Sequence, residues 1–73
     1  MKHYIQIRDG AENLGWYAGI EKGCSIEIED AFEFSSRYDA SHMARKLKLG
    51  ESLNRDFEGM DCTVESFDED TEQ

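Results

Sequence analysis

One long segment of the chain carries helical periodicity, and it is framed by runs that alternate every second residue. Ala40, Met43, Ala44 and Leu47 fall at i, i+3, i+4 and i+7, a single apolar helical stripe. Ser36-Arg-Tyr-Asp39 ahead of them fits a capping pattern, with Asp39 near the positive end of the helix dipole. Lys46 and Lys48 stand in the last turn, where cations suit the dipole, and Gly50 is a natural residue just past the end. The helix is therefore specified at both ends. Leu53 and Phe57, at i and i+4, allow a short extra helical turn after it.

The flanking runs read as strands. Residues 3–8 set His3, Ile5 and Ile7 against Tyr4, Gln6 and Arg8. Asp9-Gly10 opens a turn that extends toward Gly15. Residues 16–22 set Trp16, Ala18 and Ile20 against Tyr17, Gly19 and Glu21. Residues 24–29 set Cys24, Ile26 and Ile28 against Ser25, Glu27 and Glu29. Residues 30–35 fit either a continued strand or a loop anchored by Ala31 and Phe34, and residues 60–67 alternate again. Proline is absent, so every strand can donate along its whole length. The order β-β-β-α-β predicts an α+β two-layer domain, an antiparallel sheet with one helix packed on one face. The uncovered face, expected to hold Tyr4, Tyr17, the glutamates and Phe67, then meets water or a partner.

A chain of 73 residues is one small domain with a thin core, expected over residues 1–67, with residues 68–73 as a frayed acidic tail. No secretory signal and no membrane-spanning apolar run are visible, so the expected location is the cytoplasm. Cys24 and Cys62 are too few for a disulfide framework and lack metal-ligand spacing; they read as reduced, half-buried small apolar residues.

Catalytic chemistry finds little to work with. His3 and His42 have no cysteine, serine or carboxylate in a recognisable catalytic spacing. The glycines at 15, 19 and 23 mark turns or a bulge rather than a phosphate loop. No EF-hand pattern occurs around Asp56–Asp61. The reading is a non-enzyme with no cofactor and no metal.

What remains is charge. Seventeen acids against eight bases give a net charge of -9. Residues 37–48 hold four of the bases and one acid, +3, which leaves -12 on the rest. Such a chain is repelled by nucleic acid and anionic membrane and attracted to basic protein surfaces. Four carboxylates, Glu27, Glu29, Asp30 and Glu33, fall within seven residues. On a strand, Glu27 and Glu29 would stand about 6.6–6.8 Å apart, close to the axial spacing of alternate phosphates at about 3.4 Å per step. With Glu21 and Glu65 on neighbouring strands they would form a phosphate-like row, and Tyr4 and Tyr17 would supply aromatic anchors.

Three segments also resemble a known class. Gly15-Trp-Tyr-Ala-Gly-Ile20, Asp30-Ala-Phe-Glu-Phe-Ser35 and the helical Asp39-Ala-Ser-His-Met-Ala-Arg-Lys-Leu47, closed by a strand containing Val64, resemble small phage-encoded accessory proteins. Ala31, Phe34, Ala40, Ala44 and Leu47 match their shared pattern, which covers most of residues 3–67 and consists of core and capping positions. Some acidic proteins of this size class are anti-CRISPR proteins or other inhibitors of host DNA-binding machinery. The resemblance implies a non-enzymatic inhibitor that works by DNA mimicry in the cytoplasm of a bacterial host. Its partner would be a basic surface of a CRISPR effector or another nucleic-acid-binding protein, met by a monomer or homodimer. The alternative is a structural or adaptor module that dimerises or binds through an exposed sheet edge.

Overall fold

The alternation of His3, Ile5 and Ile7 with polar neighbours forms β1 (Lys2–Asp9), and all three side chains are buried. The computed structural model describes residues 1–51 and 55–67; the expected tail and the placement of Leu53 lie outside them. A tight turn at Gly10-Ala11 leads into β2 (Glu12–Gly19), then β3 (Gly23–Ser25), a 3-10 turn (Ile28–Asp30), α1 (Arg37–Leu49) and β4 (Asp61–Phe67). All pairings are antiparallel and the sheet order is β3-β2-β1-β4, with α1 packed on one face. The β-β-β-α-β two-layer architecture is as the periodicity predicts.

The helix begins and ends where its signals stand. Ser36 Oγ accepts from the Tyr38 amide at 3.1 Å. Gly50, at φ 74°, takes the left-handed conformation that lets its own N–H reach Leu47 C=O and the Glu51 N–H reach Lys46 C=O. Ala40, Ala44 and Leu47 face the sheet and meet Ile5, Ile7, Tyr17, Phe34 and Phe57. Phe57, from the turn before β4, is 4% exposed. Ser36→Ala is expected to lower stability by about 1 kcal/mol, read as a lower urea midpoint at unchanged slope.

Two expectations fail, each for a local reason. Tyr17 is not on the open face but in the core, 2% exposed, and Trp16 takes the open face instead. The turn closes at Asp9↔Glu12, shorter than expected, and simple counting from there would set Trp16 opposite Ile5. A bulge shifts the ladder by one between Ile7 and Arg8, so that Gly15 opposes Ile7 and Trp16 opposes Gln6. One extra residue turns every later side chain to the other face. Asn13 Oδ1 accepts from the Gly15 amide at 2.9 Å and holds the bulge.

The strand expected over residues 24–29 stops at Ser25. Ser25 Oγ accepts from the Glu27 amide (3.1 Å) and donates to Asp30 Oδ2 (3.3 Å), drawing the backbone into the 3-10 turn. Ile26 and Ile28, expected on the core side, are exposed as a result. Residues 32–34 then insert where the β1–β2 ladder ends: Phe32 N–H donates to Tyr17 C=O (2.8 Å), and His3 and Phe34 exchange a pair of bonds (3.2 and 2.9 Å).

Candidate partner-binding surface

Register fixes the composition of the open sheet face. The residues of β1 that alternate with buried His3, Ile5 and Ile7 point outward, so Tyr4 lies beside Glu65, Gln6 beside both Trp16 and Thr63, and Lys2 beside Phe67. Tyr4, Trp16 and Phe67 form one aromatic cluster, with centroids 6.1 Å (Tyr4–Trp16), 5.9 Å (Tyr4–Phe67) and 6.1 Å (Trp16–Phe67) apart and rings inclined by 51–70°. Edge-to-face rings stabilise each other, and here they leave Tyr4 and Trp16 half-buried and Phe67 45% exposed.

Beside this cluster runs a shallow groove of 430 Å³, bounded by Tyr4 and Phe67 on one side and Ile28, Glu29, Ala31 and Glu33 on the other. The second wall is the irregular arm between β3 and α1. Lys2 Nζ stands 4.0 Å from Glu33 Oε1, an exposed pair worth little. Three carboxylates, Glu29, Glu33 and Glu65, and one cation therefore border the aromatic centre. The arm adds apolar surface of its own: Ile26 is 79% exposed and Phe32 48%.

The predicted contact residues separate into groups. Tyr4, Glu29, Glu33 and Glu65 come together on this face. Glu27 and Asp30 lie on the same arm but are folded around Ser25, and with β3 ending at Ser25 the phosphate-like spacing of Glu27 and Glu29 on a strand does not form. Glu21 sits in the β2–β3 turn, at a different cavity of 380 Å³ lined by Tyr17, Ile20, Phe32, Phe34 and Met43. Tyr17 belongs to the core, and burial pushes its phenol up from the ordinary value. Trp16 was absent from the predicted set; the Asn13-Leu-Gly15 bulge is the signal that would have placed it outside.

The histidines and cysteines lie off the open face. Arg37 donates to Ser66 Oγ at 3.1 Å, and the same oxygen shares a hydrogen bond with His3 Nδ1 at 2.7 Å, tying β1, β4 and α1 together. His42 stacks on Tyr38 along the exposed helix face, centroids 6.3 Å apart. Strand order puts Cys24 and Cys62 near opposite edges of the sheet, about 14 Å apart at three strand spacings, beyond the reach of a disulfide. Burial raises the Cys62 thiol above its ordinary value, with Lys48 pulling it back and Asp61 adding to the rise. Among the described residues no group of three or more His, Cys, Asp or Glu side chains could hold a metal ion, and no helix is long and apolar enough to cross a membrane.

Comparison with protein-family models, with curated proteins and with solved structures found no match to this chain. The surface has to be interpreted from its own chemistry.

Proposed function

We propose that this chain is a non-catalytic inhibitor. It lays its open sheet face and acidic arm against a basic nucleic-acid-binding surface of a host protein, in the cytoplasm of a bacterial host, and excludes nucleic acid by occupying the site. The observation that carries the reading is the Tyr4–Trp16–Phe67 cluster on the open sheet face, half-buried at Tyr4 and Trp16 and exposed at Phe67, bordered by Glu29, Glu33 and Glu65. Tyrosine and tryptophan dominate binding energy where they are desolvated at the centre of an interface. Carboxylates around such a centre select basic partners and speed their encounter. Mimicry on this reading is one of charge sign around an aromatic anchor, not of phosphate spacing along a strand. A net charge of -9 on so small a domain adds long-range attraction to a cationic site.

The test uses the partner captured from bacterial lysate, then purified. Association with it is expected to slow steeply as salt rises, and excess DNA is expected to compete. The pair Glu29→Lys with Glu33→Lys is expected to reduce the association rate by about tenfold and to flatten its salt dependence. Unchanged kinetics in that variant, or a partner that holds DNA and this protein at once, would rule the reading out.

A further inference from the structure

The two edges of the sheet are built differently. At one edge β3 has three residues, its register to β2 shifts between Tyr17 and Gly19, and a 3-10 turn follows. Short length and a bulge are the usual protections against edge-to-edge pairing. At the other edge β4 has seven residues paired to β1 without a register shift, and it contains no proline, lysine or arginine. Among the described residues that edge has no bulge, proline or basic side chain to block another strand, and its only charges are the carboxylates of Asp61 and Glu65.

The groups it offers follow from the ladder. His3 directs both its N–H and its C=O to Phe34, on the β2 side, so Lys2, Tyr4, Gln6 and Arg8 bond toward β4. Their partners Phe67, Glu65, Thr63 and Asp61 bond back. The N–H and C=O of Cys62, Val64 and Ser66 consequently point out of the open edge, and among the described residues they have no backbone partner.

We infer that β4 pairs antiparallel with β4 of a second copy, about a two-fold axis at Val64, to give one continuous eight-stranded sheet. The edge is complementary to itself, because the outward N–H and C=O groups of Cys62, Val64 and Ser66 match their own two-fold copies, and charge selects this register. Three two-fold antiparallel registers set edge-facing residues opposite one another and pair at least five residues of the strand. One centred at Thr63 sets Asp61 against Glu65 of the second copy, and one centred at Glu65 sets that carboxylate against itself; like charges directly opposite are destabilising. Centred at Val64, Glu65 meets Thr63, Cys62 meets Ser66 and Asp61 meets Phe67, with no like pair. About six backbone hydrogen bonds form across the axis. The two open faces lie on the same side of the joined sheet, which doubles the acidic aromatic surface presented to a partner. The inference stands independently of the proposed function, and salt separates the two. Two chains of charge -9 repel, so salt strengthens self-association, whereas it weakens docking on a basic surface.

Sedimentation equilibrium over a range of concentrations, at low and high salt, is the measurement. A reversible dimer that tightens with salt is the expected result. Thr63→Glu sets a carboxylate opposite Glu65 twice per dimer and is expected to weaken it roughly tenfold; Thr63→Lys is expected to tighten it by a similar factor. Thr63 lies on the open face opposite Gln6, so neither change touches the core. If both substitutions weaken the dimer, or if neither acts, the Val64 register is wrong. A chain that stays monomeric at every concentration, with Thr63→Lys monomeric too, overturns the inference. Loss of partner binding in a monomeric Val64→Pro variant would assign the edge to a foreign strand instead.

Discussion

Gly15→Ala is expected to destabilise the fold by about 3 kcal/mol, against a total of about 4–11 kcal/mol for a chain this long. Gly15 sits at φ 107°, where side chains other than hydrogen are strained. A Cβ there would also lie 2.3 Å from the Ser25 carbonyl oxygen, a backbone atom of the neighbouring strand with no rotamer to escape into. Relief requires either parting β3 from β2 or removing the bulge. Removing it shifts the ladder by one and exchanges the faces of Trp16 and Tyr17. Chemical denaturation reads the loss directly, and tryptophan fluorescence reads the exchange as a blue shift when Trp16 enters the core. A stability within about 1 kcal/mol of the parent would mean that the bulge does not control the register.

Trp16→Ala is expected to weaken binding to the basic partner by about 30-fold or more, the loss typical of an aromatic anchor worth about 2 kcal/mol. The side chain packs edge-on against Tyr4 and Phe67 outside the buried cluster of Ile5, Ile7, Tyr17 and Leu47. The fold should thus survive, with a loss of about 1 kcal/mol from the broken ring contacts. Titration calorimetry beside a thermal melt separates the two effects. Affinity within about twofold of the parent would remove the aromatic cluster from the interface.

The elements could be recognised in the sequence wherever a short-range rule governs them. α1 follows from its stripe and two caps, and β1 from its alternation, because neighbours three, four or two residues away settle both. The faces of β2 could not be read that way. Trp16 and Tyr17 are adjacent, both large and both suited to a core, so local pattern is indifferent between them and the bulge decides. The end of β3 was hidden for a similar reason: Ser25 reads as an outward strand residue until its hydroxyl captures the Glu27 amide and Asp30. For the surface, charge sign was legible and position was not. Glu29, Glu33 and Glu65 are brought beside Tyr4 by the arm's insertion and by a pairing across some sixty residues, neither of which leaves a local signature.

The contact between His3 and Ser66 spans 63 positions of the chain. β1 lies at the centre of the sheet, yet one of its two neighbours emerges from the ribosome only after everything else described here has been made. The hairpin β1–β2 can close early, in microseconds, but it exposes one open side of Ile5 and Ile7 until β4 arrives. Nascent chains paused before Asp61 would hold a half-built sheet with an unsatisfied central strand, the state most prone to wrong pairing. Rapid translation of the stretch between α1 and β4 would shorten the life of that intermediate, and in a crowded cell the yield of folded protein would depend on it.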